Sequence, residues 1–377
     1  MDFSLTDDQK ALAELAEKIL DDAATLERLK AIEAGPERVD RETWAQLAEA
    51  GLLGAAIPEA HGGSGYGFVE LCLILERVGR AVAHVPVLST LVCGAGAIAK
   101  FGTDAQKQRF LPGVAQGKIL LTAALGEGET TPREPTTKAR PEGDGYQLDG
   151  VKIGVPIAAQ AEAVLVPARL PNGDVAVFLV DPRSRGVELT PQETTNWEGE
   201  YRMSLSGVAV PKDALLGAAG KGREVLDWLI DHATVGLCAI AAGVGDRALR
   251  ITSKYASERK QFDKPIATFQ AVSQRLADCY IDNEAIGLTM WQAATRLAEG
   301  LRADKEIATA KYWACEGGSR IGHAGLHIHG GICIDIDYPI QRYFLWAKQI
   351  EFSLGAATPQ LVDLGRLIAA EPLTTPA

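Results

Sequence analysis

The sequence is short of positive charge. Lys and Arg number 38 against 49 Asp and Glu, giving a formal net charge of −11 and a pI of about 5.2. A general nucleic-acid binder needs a basic face for phosphates, so that class is excluded, while a local basic site for a phosphorylated ligand is not. Paired cysteines are also lacking. Cys72, Cys93, Cys238, Cys279, Cys315 and Cys333 are scattered and none stands in a C-x-x-C pair. That argues against zinc and for buried thiols in a reducing compartment. No window holds about 18 uninterrupted apolar residues, the length needed to span a membrane. The opening MDFSLTDDQK is polar and acidic and does not read as a signal peptide. There is no internal repeat and no low-complexity tract. The expectation is a cytoplasmic globular protein whose partners include neither nucleic acid nor membrane.

What is present is ample apolar material, 47% of 377 residues, enough for two or three structural units at roughly 100–200 residues each. Thr6 to Gln9 reads as a capping box, followed by Leu12, Leu15, Ile19 and Leu20 at helical spacing. Further helices are expected over Arg41 to Leu53, Val69 to Val82, Leu88 to Phe101, and from a capped start at Thr103 through Phe110. The texture changes at Ile119. A short apolar strand is followed by a polar loop, Gly126 to Gly145, and by an alternating run, Tyr146 to Lys152, expected to turn at Asp149-Gly150. Strands are expected at Ala163 to Ala168, Ala176 to Val180, Val187 to Thr190 and Ser204 to Val210. Helical periodicity returns near Gly222, with four long runs: Glu224 to Tyr255, Phe269 to Gly300, Asp304 to Gly325 and Gln341 to Ala370, ending in a frayed tail, Glu371 to Ala377. The expected architecture is α+β and multidomain: an N-terminal all-α domain over 1–118, a middle β-barrel or sandwich domain over 119–217, and a C-terminal four-helix bundle over 218–377.

One stretch organises the rest: SKYASERKQFDKPIATFQ, Ser253 to Gln270. It reads as a helix end, a turn at Asp263-Lys264-Pro265, and a helix start. Arg259 followed by Phe262 suits a ligand with both a phosphate and a flat ring system. On residue type alone the arginine is as well explained as a solvated or ion-paired surface group.

The order of elements, together with Gly62-Gly63-x-Gly65, Asp149-Gly150-x-Lys152, Glu258 to Phe262, Phe269 to Val272, His329-Gly330-Gly331 and Asp337 to Ile340, resembles the acyl-CoA dehydrogenase family along nearly the whole chain. The resemblance implies α,β-dehydrogenation of an acyl-CoA thioester, in which a glutamate removes the α-proton and the β-hydride goes to N5 of FAD. It implies an electron-transfer flavoprotein as acceptor. It also implies that Arg259, Phe262 and Gln270 reach the FAD of a neighbouring subunit. The family's QxxGG-type turn carries over to His327, Ile328, His329, Gly330 and Gly331, with histidine in place of glutamine and Cys333 in place of a third glycine.

The departures are informative. The family's Tyr-Glu-Gly-Thr falls on Ser353-Leu354-Gly355-Ala356, so Leu354 replaces the catalytic Glu and no base stands at the usual position. The other position at which the family places a base falls on Ala233. Asp231, His232 and Glu351 are the polar groups nearby that a displaced base would draw on. The flavin loop corresponds to Leu125 to Thr131, with carboxylates at Glu127 and Glu129 that would repel phosphate. The flavin-covering Trp-Ile-Ser/Thr falls on Gly154-Val155-Pro156, and the family's Arg-Asp phrase has become Leu345-Trp346. The contacts to a flavin of its own are lost while those serving a neighbour's are kept. The sequence therefore resembles the base-less subunit of the heterotetrameric acyl-CoA dehydrogenases of bacterial steroid side-chain degradation. That implies a homologous base-bearing partner subunit. Two alternatives stay open: a self-sufficient homotetramer with a displaced base, and a non-catalytic scaffold of the same fold.

Overall fold

The computed structural model describes residues 3–128 and 130–370. Glu129 and the tail from Glu371 lie outside the described residues. The N-terminal region is helical: α1 (Asp7–Ala23), α2 (Leu26–Ala34), α3 (Arg41–Glu49), α4 (Phe68–Ala81), α5 (Ala97–Phe101) and α6 (Asp104–Ala115). Reciprocal capping boxes start α1 at Thr6/Gln9 and α6 at Thr103/Gln106, as their spacing predicts. Helix α2 is an addition to the expected set. Leu29 is its one buried residue, so it carries no apolar stripe to betray it. The helix expected over Leu88 to Phe101 is wound as a π-helix over Leu88–Gly96 before it becomes α5. π-Segments of this kind concentrate at functional sites.

The middle region is one curled seven-stranded sheet: β1 (Leu121–Ala123), β2 (Lys138–Glu142), β3 (Gly145–Pro156), β4 (Ala163–Arg169), β5 (Val175–Val180), β6 (Val187–Gln192) and β7 (Glu200–Pro211). The order is β1-β4-β2-β3-β7-β6, with β5 beside β4. Two expectations fail here. The stretch Gly126 to Gly145 is not all loop, since β2 lies within it. Nor does the chain turn at Asp149-Gly150. Strand β3 runs straight through, with a register shift between Leu148 and Gly150, and the chain reverses at Gly143-Asp144. The Asp149 carboxylate instead accepts from the Gly207 N–H at 2.8 Å and from Arg140, which ties β3 to its neighbours on both sides.

The C-terminal region holds α7 (Gly222–Glu258), the small strands β8 (Lys260–Gln261) and β9 (Lys264–Pro265), α8 (Gln270–Ala298), α9 (Asp304–His329), α10 (Ile340–Phe352) and α11 (Ala357–Ala369). Helix α7 is long and apolar enough to cross a membrane, with mean hydropathy 1.5, but 78% of that window is buried within this protein. It packs against α4 so closely that a Cβ on Gly243 would sit 1.9 Å from the Glu76 carbonyl oxygen, and one on Gly79 2.1 Å from that of Ile240. One continuous apolar core accordingly joins the N-terminal and C-terminal helices, while a second fills the sheet. The fourth long helical run is in fact two helices. They break at Leu354 and Gly355, whose φ angles are 53° and 97°. Fully buried Lys311 donates to the Ile350 carbonyl at 2.6 Å, giving a partner to one of the carbonyls left open at the end of α10.

Candidate functional site

The break after α10 opens onto a cavity of about 500 Å³ between the sheet, the α4–α7 layer and α10. Leu354 lines it, and so does Ala233 from α7. The two positions singled out for a base therefore face one space, and neither side chain can take up a proton. Gly126, Gly154 and Pro156 line the same cavity from the sheet. Trp346 lines it too, with its ring edge-on to buried His84 at 5.8 Å.

The polar wall comes from the approach to β7. Glu198 and Glu200 both line the cavity. Burial pushes the Glu198 carboxyl up to about 7 against the Asn196 amide that donates to it at 2.6 Å, and neighbouring Glu200 adds to the rise. Burial also raises Glu200, which accepts from Gln349 Nε2 at 3.0 Å. Gln349 in turn accepts from the Thr195 hydroxyl at 3.0 Å, so a polar strap ties β7 to α10 across the cleft. Gly154, at φ 59°, donates to Gln192 Oε1 at 2.8 Å, and a Cβ there would meet Glu200 Oε2 at 3.1 Å. The Glu200 carboxylate thus stands where a larger residue 154 would begin. Sequence reasoning missed Glu198 and Glu200. Their signal was two carboxylates two residues apart at a strand start, a spacing that sends both to one side.

None of the proposed displaced bases reaches this cavity. Asp231 is paired with Arg133, which also holds Asp227 at 3.0 Å. His232 donates through Nδ1–H to the Trp228 carbonyl at 2.9 Å, stacks on that indole at 3.9 Å, and is pulled down to about 4 by burial. Glu351 pairs with Lys348 at 2.8 Å. Glu127 also departs from expectation. It is no free repeller of phosphate, because it forms a buried pair with Lys152 at 2.6 Å and accepts from Thr136 and Thr137. Burial would raise Glu127, but the Lys152 ammonium and the Thr136 donors outweigh it and hold the carboxyl at about 2.

The residues expected to serve a neighbour lie elsewhere, at the end of the bundle where α7 stops, α8 starts and α9 stops. Arg259 follows α7, is exposed, and its guanidinium has no partner among the described residues. The β8–β9 hairpin turns at Phe262-Asp263 rather than at Asp263 to Pro265. Both turn residues have positive φ, 53° and 64°, which matches the twist of a two-residue hairpin. Phe262 is 86% exposed at that tip. Gln270 opens α8 and is exposed. His327 is exposed and its Nδ1 contacts Arg275 of α8. Gly330, at φ 63°, and Gly331 are exposed as well. His329 differs from the rest. It is buried, stacked on Tyr255 at 4.4 Å, and bonded through Nδ1 to the Gly325 carbonyl at 2.7 Å. Its Nε2 has no partner, and burial pulls its pKa down. None of these seven residues lines the cavity.

Residues 6–118 match the family of acyl-CoA dehydrogenase N-terminal domains, and residues 220–368 that of acyl-CoA dehydrogenase C-terminal domains. The chain belongs to the acyl-CoA dehydrogenase family. It is 40% identical to acyl-CoA dehydrogenase FadE27 of Mycobacterium tuberculosis over 380 residues, 99% of this chain and 100% of that one. Among solved structures, it is similar to a chain of the Tcur3481–Tcur3483 steroid ACAD, with 44% identity and a TM-score of 0.91 over 96% of this chain and 98% of that one. It is also similar to a chain of the ChsE4–ChsE5 complex of Mycobacterium tuberculosis, with 40% identity and a TM-score of 0.94 over 99% and 100%. Members of this family act on the CH–CH bond of acyl-CoA with FAD. The two regions of this chain fit that cofactor unequally. The cavity presents Glu193, Glu198 and Glu200 and has no Lys, Arg or His among its lining residues, so it does not fit a group carrying a pyrophosphate. The bundle end presents Arg259, an exposed aromatic ring and the Gly330-Gly331 turn, which together suit one.

Proposed function

We propose that this chain is the base-less member of a hetero-oligomeric acyl-CoA dehydrogenase. It lends Arg259, Phe262, Gln270 and the His327–Gly331 turn to the FAD of a homologous subunit, and that partner supplies the glutamate that removes the α-proton of the acyl-CoA. The observation that carries this reading is the shared cavity of Leu354 and Ala233, in which both base positions are apolar. When bound, FAD supplies the hydride acceptor for the β-hydrogen. This chain's part is to hold the phosphate end through the Arg259 charge, to cover the nucleotide with Phe262, and to bring backbone N–H groups close at Gly330 and Gly331. His329 holds that turn from behind through its stack on Tyr255.

The similarity to chains of the Tcur3481–Tcur3483 steroid ACAD and of the ChsE4–ChsE5 complex supports an unlike partner and a steroid side-chain CoA ester as substrate. An electron-transfer flavoprotein is the acceptor this reading expects, and the cytoplasm the compartment. The test is turnover of acyl-CoA by the chain alone and after co-expression with a base-bearing homologue. Dehydrogenation by the pair and none by the chain alone is the expected result. Turnover by the chain alone at the rate of the pair contradicts it. One observation favours a second reading, a self-sufficient enzyme with a displaced base: Glu198 is a carboxyl in the cavity held near neutrality. That reading requires Glu198→Gln to abolish turnover by the chain alone.

A further inference from the structure

We infer that the cavity beside Leu354 is a binding site for an uncharged, ring-sized apolar molecule that carries a ketone or hydroxyl oxygen. The inference rests on the reading that this chain does not house its own flavin. A space of about 500 Å³ falls within the size range of ligand and cofactor pockets. Most of its wall is apolar: Leu88, Leu237, Ile240, Trp346, Ile350 and Phe352 all face it. Such a wall selects for a hydrocarbon body, because each apolar surface removed from water there is gained without a polar cost.

Two features set the rest of the ligand. Thr122, on β1, lines the cavity, is fully buried, and its hydroxyl has no hydrogen-bond partner. A buried hydroxyl left unpaired is costly, and an oxygen brought in by a ligand removes that cost. The second feature is the sign of the charge. Glu193, Glu198 and Glu200 are the acidic groups of the lining; Glu193 is paired with Arg38 from outside it, and no Lys, Arg or His among the lining residues faces Glu198 or Glu200. Phosphates and carboxylates are therefore turned away, which excludes CoA thioesters and flavin nucleotides alike. Glu198, held near its neutral form by burial, can donate to a ketone as an acid or accept from a hydroxyl as a carboxylate. Neutral oxygen functions meet both Thr122 and Glu198, and no other ligand class fits the apolar wall as well.

The probe is androst-4-ene-3,17-dione, a neutral fused-ring ketone, titrated into the full chain and into the co-purified pair while tryptophan fluorescence is followed. Trp346 on the cavity wall reports occupancy. Saturable binding of one dione per copy of this chain is expected, with the oxygen-free hydrocarbon 5α-androstane about tenfold weaker or more. Thr122→Val, which keeps the shape of the side chain, should weaken the dione three- to tenfold, as expected for one lost hydrogen bond. It should leave androstane unchanged and the melting temperature unchanged or higher. Leu237→Trp, which fills the space, should abolish both. No binding of the dione to folded protein, or equal loss of dione and androstane in Thr122→Val, overturns the inference. So does tighter binding of an amine of the same ring size. A flavin absorbance in the chain alone overturns the underlying reading instead, and is seen without adding the dione.

Discussion

Ala233, on the long central helix α7, and Leu354, at the break between α10 and α11, line one cavity from opposite elements of the bundle. Both positions at which the resemblance to the family places a base are thus filled by side chains without a titratable group. The loss is one of chemistry and not of space, because the cavity remains.

A carboxylate restored at this site should not restore catalysis. In the chain alone, Leu354→Glu places a base against an apolar wall with no hydride acceptor beside it. Acyl-CoA oxidation by that variant alone should stay at background in a dye-reduction assay. Activity above a tenth of that of the pair would mean that the chain holds its own flavin.

Phe262 separates function from stability. A bulky residue at φ 53° costs about 1–2 kcal/mol relative to a residue that tolerates the left-handed region, and at 86% exposure it gains little from burial within the chain. Phe262→Asn should therefore leave the melting temperature of the isolated chain unchanged or raise it. In the co-purified pair, the same change should lower the flavin retained after gel filtration several-fold. A stable variant with full flavin content would show that the ring, edge-on to Phe269 at 6.3 Å, covers no flavin.

Glu198 gives a pH signature. Its carboxyl is raised from 4.5 to about 7, so the folded state binds the proton more tightly than the unfolded chain. The stabilisation is present in full below about pH 4.5 and is lost as pH rises through 7, amounting to roughly 3 kcal/mol. Glu198→Gln keeps the neutral amide at every pH. The melting temperature of the variant should fall level with or below that of the natural chain at pH 5 and exceed it at pH 8. A difference that does not change with pH would contradict the burial of this group.

Glu127 behaves in the opposite sense. Its carboxyl is depressed from 4.5 to about 2, so its contribution is present above pH 4.5 and is lost as pH falls towards 2. Lys152, fully buried, is itself lowered by desolvation, and this offsets part of the gain. Lys152→Met leaves a buried carboxylate without its cation and should cost about 3–5 kcal/mol in chemical denaturation. The double change Lys152→Met, Glu127→Gln should recover much of that. If the double variant is as unstable as the single, the pair is not coupled as its 2.6 Å separation implies.

Much of this was legible in the residues. The order of helical, strand and helical regions follows from a change of apolar period at Ile119 and again near Gly222. The capping boxes at Thr6 and Thr103 mark their helices at the residue. The emptiness of the base positions was visible as Leu354 and Ala233, but their convergence on one cavity was not, since only packing brings α7 and the α10–α11 break together. Glu198 and Glu200 escape sequence reasoning because their importance lies in what β7 packs against, the Gln349 face of α10. Asp149-Gly150 misleads because the carboxylate that favours a turn is used here to hold the Gly207 N–H across the sheet. The Leu354-Gly355 break is hidden because a leucine at positive φ has no composition signal. Lys311 beneath the end of α10 meets it from a different helix.

The number of flavins in the purified pair decides whether this chain houses a cofactor of its own. Flavin absorbance after heat release, divided by the amount of each chain, should give one FAD for every pair of unlike chains, with none in this chain alone. Two FAD for every pair would place a flavin in the cleft beside Leu354 and contradict the account.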